Sequence, residues 1–318
     1  MKIVDHIARS EGKTQFTFEI LPPVKGQHID SIFEGIDPLM EFNPPFIDVT
    51  YHREEYELKQ LDNGLLEKRL TRRRPGTVGI CAAIMNKYKV DAVPHVLCGG
   101  FTEEETENLL IDLDFLGIDN VVALRGDAVK NETYFTPTPG GHAYASQLVK
   151  QIDNLNKGVY LDADVAVASP TNFCIGVSGY PEKHMEAPSL DTDIQYLKEK
   201  VEAGADYIVT QMFFDNSKFF AFQEKCLAAG ITVPIIPGLK PIATRRQLNL
   251  LPHRFHVDLP EDLIQAVMAC KDNKAIKQVG IEWCIAQSKE LKAAGVPFLH
   301  YYSMGKSENI KAIAEAVF

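Results

Sequence analysis

Chemistry-bearing side chains in this chain sit at the ends of short apolar runs. Glu19 lies in Phe16–Leu21, where alternation puts it on one face with Thr17 and Leu21 while Phe16, Phe18 and Ile20 point the other way. A carboxylate in an apolar mouth keeps its proton toward neutrality and can act as a general acid. A solvated rim glutamate is the plainer alternative. Asp127 follows Arg125-Gly126, where glycine permits a tight turn and close backbone approach to a ligand; the same residues also read as an Arg–Asp turn pair. Gln211, on a face with Tyr207, Val209 and Phe213, either reads the edge of a heterocycle or satisfies backbone. His95, beside Pro94, is a core histidine or a ligand contact. His184 precedes Asp193, Tyr196 and Lys200, whose spacing places these three on one helical face, so Lys200 serves an anionic phosphate or is simply solvated. The basic residues Lys68, Arg69, Arg72, Arg73 and Arg74 lie near Glu54, Glu55 and Glu57, which reads as local salt bridging ahead of polyanion binding.

The elements that must position these groups alternate between two periods. Candidate strands are Phe16–Leu21, Phe46–Tyr51, Val90–Leu97, Val121–Leu124, Phe173–Val177, Tyr207–Phe213, Val233–Pro237 and Phe298–Tyr302. Helical spacing is clearest over Thr102–Leu116, Asp191–Ala203, Asn216–Ala229 and Ser307–Val317. Eight strand-then-helix units predict an α/β fold, a (β/α)8 TIM barrel forming one domain over residues 1–318, with a doubly wound sheet as the second architecture. The surplus length falls around 54–89 and 251–282. In such a barrel the active site is built where strands end, and the strand ends here are polar.

Composition narrows the function further. The 318 residues are 45% hydrophobic and 24% charged with a formal charge of -10, so neither nucleic acid nor an anionic membrane is expected as a partner. Without an 18-residue apolar run or a leader pattern, a cytoplasmic protein is expected. Six scattered cysteines without a C-x-x-C pair suggest reduced core residues, and no metal-binding spacing such as H-E-x-x-H occurs, so no metal is expected. Neither a G-x-G-x-x-G turn nor a Walker loop is present, so any dinucleotide needs another cradle.

Seven segments, in order, carry a family resemblance: Phe18-Glu19-Ile20-Leu21-Pro22-Pro23, Asp48-Val49-Thr50-Tyr51, Pro94-His95, Ala123-Leu124-Arg125-Gly126-Asp127, Tyr180-Pro181-Glu182-Lys183-His184, Thr210-Gln211-Met212-Phe213-Phe214-Asp215 and Ile236-Pro237-Gly238. Together they resemble methylenetetrahydrofolate reductase of the bacterial type that consists of the catalytic domain only. The resemblance implies a flavoprotein TIM barrel that passes a hydride from NADH or NADPH through FAD to 5,10-methylenetetrahydrofolate, giving 5-methyltetrahydrofolate in a ping-pong cycle. It assigns catalysis to Glu19, as the acid, and Asp127. For FAD it points to Thr50, Tyr51, His95, Arg125, Gly126, Asp127, Tyr144, Ala145, Tyr180, His184, Ala187, Asp193 and Lys200, and for folate or nicotinamide to Asp127, Gln211, Gln247 and Lys306. It also implies a homo-oligomer acting on small molecules, without inhibition by S-adenosylmethionine.

The chain departs from the pattern in places. Tyr196 and Glu199 stand where relatives often carry Asn and Arg, His52-Arg53 replace small residues, Leu251 replaces an aromatic, and Ser303-Met304-Gly305-Lys306 replaces Thr-Leu-Asn-Arg. A flavin-free barrel lyase or aldolase using Lys240 as a Schiff-base amine is the second functional reading. A flavin- or folate-binding module that has lost reductase activity is the third.

Overall fold

The computed structural model describes residues 1–129, 132–303 and 307–318. Its strands are β1 (Gln15–Ile20), β2 (Phe46–Val49), β3 (Glu55–Gln60), β4 (Leu66–Thr71), β5 (Asp91–Leu97), β6 (Asn120–Leu124), β7 (Cys174–Gly179), β8 (Tyr207–Thr210), β9 (Ile235–Ile236), β10 (Gly238–Leu239) and β11 (Phe298–Tyr302). Nine of them form one parallel sheet in the order β10-β11-β1-β2-β5-β6-β7-β8-β9. β9 and β10 flank Pro237, which has no N–H to give a ladder, and so are two halves of a single strand. One half pairs with β8 and the other with β11, so the sheet closes into the expected eight-stranded barrel.

Helices α1 (Ile3–Arg9), α2 (Asp30–Ile36), α3 (Thr77–Tyr88), α4 (Glu103–Phe115), α5 (Ala145–Asn156), α6 (Leu190–Glu202), α7 (Asn216–Ala228), α8 (Gln247–Phe255), α9 (Glu261–Ala269), α10 (Asn273–Ala293) and α11 (Glu308–Val317) accompany the strands. The apolar pattern of each strand explains the layers. Phe16, Phe18 and Ile20 of β1 face outward into a core shared with the helices, which also holds Ile47, Val96, Ile175 and Phe222. Phe46, Val93, Val122, Tyr207, Ile236 and Phe298 instead fill the barrel's interior. Ile3 of α1 plugs the end opposite the strand termini, its N–H donating to Asn120 Oδ1 at 2.9 Å. The sequence signals did not mark this helix.

The two surplus regions become distinct structures. Residues 55–71 form an antiparallel hairpin, β3–β4, after β2. Its charged face pairs Glu67 with Arg69, and Glu57 with Arg73 beyond the hairpin, as the local salt-bridging reading expected. The second surplus builds α8 and α9 over a satellite core of Met212, Phe214, Ile242, Leu251, Val257 and Leu263.

α10 crosses the Ile242 backbone at Gly280, where a Cβ would collide with the Ile242 carbonyl oxygen. Alanine ordinarily favours a helix interior by about 1 kcal/mol over glycine, but backbone cannot yield as a flexible side chain can. Gly280→Ala therefore lowers the thermal midpoint, by roughly 5 °C or more, in a melting experiment; an unchanged or higher midpoint would contradict the close crossing.

Candidate active site

At the end of the barrel where the strands terminate, the interior changes from apolar to polar. In-register residues of parallel neighbours point to the same face, and Glu19 pairs with Asp48 on one side and Tyr302 on the other. One layer deeper, Thr17 Oγ1 lies 3.0 Å from His300 Nδ1. His95, from β5, completes the group. Its Nε2 lies 3.7 Å from Glu19 Oε2 and 3.6 Å from Asp48 Oδ2. His300 Nε2 approaches the same Asp48 oxygen at 3.9 Å.

These side chains are nearly dry: Glu19 is 13% exposed and Asp48 2%. Burial disfavours the charged carboxylate and pushes Glu19 up to about 7, against the opposing pull of His95 and Lys240. His95 shifts the other way from an isolated buried imidazole. Burial pulls it down, but the Asp48 and Glu19 carboxylates outweigh that and leave it raised. His300, which faces only one carboxylate, is lowered by burial. Among the described residues, Asp48 Oδ1 and His300 Nε2 are buried without a hydrogen-bond partner.

Around this centre lies a second group with cationic donors. Arg125 Nη1 donates to Glu186 at 2.6 Å, and its guanidinium lies over Phe135. Arg53 approaches the same Phe135 ring and pairs with Glu132 at 3.6 Å. His184 is fixed from both sides: its ring meets Tyr180 edge-on at 4.7 Å and its N–H donates to Asp193 Oδ2 at 2.9 Å. Lys200 Nζ donates to the Ser178 carbonyl at 2.5 Å. Burial lowers Lys200 to about 8, with Asp193 opposing and Arg125 assisting. Gly126, at φ 89°, makes the left-handed turn that only glycine adopts without strain.

Comparison with known proteins places this geometry. The family profile described as methylenetetrahydrofolate reductase matches residues 2–317. The chain belongs to the methylenetetrahydrofolate reductase family. It is 32% identical to methylenetetrahydrofolate reductase 1 of Schizosaccharomyces pombe, over 99% of this chain and 48% of the relative. The chain thus spans about half the length of the first curated relatives it matches. Identity to the 5,10-methylenetetrahydrofolate reductase of Escherichia coli is 29%, over 98% of this chain and 93% of that enzyme. Among solved structures, an uncharacterized Clostridium thermocellum protein that binds two copies of 5-methyl-5,6,7,8-tetrahydrofolic acid superposes with a TM-score of 0.60 at 16% identity, covering 99% and 98% of the two chains. That likeness supports the barrel fold.

Within this reductase-family barrel the sequence-predicted residues fall into several separate groups. Glu19 and His95 meet in the interior. Arg125, Tyr180, His184, Asp193 and Lys200 act on one another around the β6 and β7 ends, and Ala187 closes the turn after His184 through its N–H to the His184 carbonyl at 3.0 Å. Thr50 and Tyr51 follow β2, with the Tyr51 ring tilted against Phe101 at 5.2 Å and the Arg72 guanidinium over it at 5.5 Å. Asp127 is exposed, close enough for its charge to act on His52 and Tyr180. Tyr144 and Ala145 form the start of α5, where Gln147 Oε1 accepts from the Tyr144 N–H at 3.1 Å.

Other placements differ from expectation. β8 stops at Thr210, so Gln211 lies beyond the strand instead of alternating with Tyr207 and Val209, and its Oε1 accepts from the Met212 N–H at 3.0 Å. Gln247, the first residue of α8, accepts through Oε1 from the Ala243 and Thr244 N–H groups of the preceding turn, and no hydrogen bond joins it to Glu19 or Asp127 among the described residues. Tyr196 is 49% exposed, whereas Asp193 in the same helix is buried. Lys306 lies outside the described residues. Sequence reasoning did not single out Asp48, His300 or Arg53 as site residues, although a charged residue inside the apolar run Phe46–Val49 is a legible signal for Asp48.

The raised Glu19 value makes a pH-dependent claim. The native carboxyl holds its proton after the unfolded chain's has left, so stability falls as pH rises from about 4.5 to about 7. Glu19→Gln removes that loss, gaining about 2 kcal/mol on the wild type between pH about 5 and about 8 in denaturant titrations. A stability difference independent of pH would contradict a buried, neutral Glu19.

Proposed function

We propose that this protein reduces 5,10-methylenetetrahydrofolate to 5-methyltetrahydrofolate, with FAD as cofactor and NADH or NADPH as electron donor. The observation that carries the reading is a glutamic acid kept protonated near neutrality inside the strand-end mouth of a reductase-family barrel. The reductase relatives of S. pombe and E. coli support the reaction, and the folate bound by the C. thermocellum protein supports the substrate class.

The chain's own groups fit FAD. Arg125 and Lys200 supply cationic donors near the β6 and β7 ends, suited to a diphosphate in place of a glycine-rich cradle, with the His184 ring, whose charged form burial disfavours, beside them. Among the described residues, Arg53 Nη2 has only its 3.6 Å ion pair with Glu132, and buried Arg72 Nε has no hydrogen-bond partner. Thr50, Tyr51, His95, Gly126, Asp127, Tyr144, Ala145, Tyr180, Ala187 and Asp193 complete the proposed cofactor surface. FAD, when bound, carries a hydride from the nicotinamide to the one-carbon unit.

Glu19 acts on the other half of the reaction. The methylene bridge is inert until its bond to N10 breaks. As that bond breaks, the Glu19 O–H bond breaks and an N10–H bond forms, leaving a cationic iminium at N5 and a glutamate anion. Asp127 accepts from neighbouring pterin N–H groups and its charge favours the cation. Gln211 contacts whichever of folate or nicotinamide is present, and one surface used in turn gives the ping-pong order. Gln247 and Lys306 are assigned to the same substrates. The family match gives no support to the lyase reading of Lys240.

Anaerobic absorption spectra of the purified protein test this directly. Flavin bands bleach with NADH or NADPH and return with methylenetetrahydrofolate; a protein that takes up no added FAD would remove the reading. Glu19→Gln retains bleaching and slows the return by about 10³-fold. Full folate turnover by that variant would remove the acid assignment.

A further inference from the structure

We propose that Lys240 is a positioning residue for the acid, its ammonium being the counter-charge that lets the buried Glu19 release a proton. This deepens the reading of Glu19 as the acid and rests on it.

Register places the two groups together. Gly238 pairs with His300 and Leu239 with Tyr301, while His300, Tyr301 and Tyr302 pair with Thr17, Phe18 and Glu19. The first residue past β10 follows the Leu239–Tyr301 pair, one position from the level where Tyr302 pairs with Glu19. That residue is Lys240, only 9% exposed. Its stem borders a small cavity with Phe214, Ile242 and Trp283. No hydrogen bond reaches it among the described residues, and Glu19 is the one charged group found to act on it. An amine taken out of water at this depth needs a partner of opposite charge.

Charge arithmetic gives it a task. Glu19 faces Asp48 from β2, His95 from β5, Tyr302 from β11 and Lys240 after β10. His95 sits between two carboxylates at nearly equal distances, 3.7 Å from Glu19 and 3.6 Å from Asp48, so its single charge is shared. When Glu19 ionises, two anions face His95, and only a second cation makes the buried set neutral. Lys240 is that cation. Without it, proton release leaves a net negative charge away from water, and Glu19 becomes a weaker acid. The directions agree: burial and Asp48 raise Glu19, His95 and Lys240 lower it, and Glu19 in turn holds Lys240 up against burial, at about 8.

The test is the titration of Glu19 in holoprotein labelled at glutamate carboxyl carbons. Carbon-13 NMR follows the resonance that disappears in Glu19→Gln. Removing the charge with Lys240→Met or Lys240→Gln raises the Glu19 midpoint by about one pH unit, whereas Lys240→Arg, which keeps the charge, leaves it near the wild-type position. A merely structural role would disturb stability in all three without this split by charge. The polar Gln variant keeps the test open if Met impairs folding. A midpoint unmoved or lowered in both uncharged variants overturns the proposal. The titration needs no folate, so a wild type whose reduced flavin is not reoxidised by methylenetetrahydrofolate refutes the reductase reading while the resonance still decides the role of Lys240.

Discussion

An ionised carboxylate is costly to bury, and the upper interior of this barrel holds two carboxyl groups, Glu19 and Asp48. Everything around Glu19 answers that constraint. Parallel register aims Glu19, Asp48 and Tyr302 at one point, and His95 joins from β5 between the two acids. With one imidazole shared by two carboxyls, burial leaves Glu19 holding its proton toward neutrality. The same constraint gives the barrel two kinds of filling. Its lower interior is sealed by Phe46, Tyr207, Phe298 and the α1 plug, so the polar layers are open only on the side where strands end.

The outer group obeys a different rule. Arg125, Arg53 and Lys200 are partly buried cations, and each is held by protein acceptors or an aromatic ring: Glu186, Glu132 and Phe135, and the Ser178 carbonyl. Such groups are already oriented before any ligand arrives, which reduces the ordering cost of binding. Tight backbone makes room for them. At Gly99 a side chain would press on both Arg53 and Phe135. The departures from the family pattern concentrate here, at Arg53, Tyr196 and Glu199, while Glu19, His95 and the β6–Asp127 turn keep it.

Legibility in the sequence followed periodicity. Eight apolar runs were enough for the barrel, because each strand is buried on both faces and stands out from its polar ends. The α1 plug was silent, since seven residues give too little periodicity, and the β3–β4 hairpin was masked by a charge run that reads as solvated loop. Strand ends were overextended at Tyr51 and Phe213, where apolar residues continue past the last ladder hydrogen bond. At the site, Glu19 was readable from alternation alone. The shared role of His95 was not, because it depends on Asp48 arriving from a strand more than 40 residues away in sequence. Gln247 is a case that periodicity did not mark: its Oε1 accepts from the Ala243 and Thr244 N–H groups of the preceding turn.

The central claim is that burial, by keeping Glu19 protonated, supplies the proton that opens the methylene bridge. The most direct measurement is the pH dependence of a single half-reaction, the reoxidation of prereduced flavin by methylenetetrahydrofolate in a stopped-flow spectrometer. The account predicts a rate constant that is flat at low pH and falls about tenfold per unit above a midpoint near 7, as one proton is lost from Glu19. A rate constant that stays level from about pH 6 to about pH 9 would contradict it.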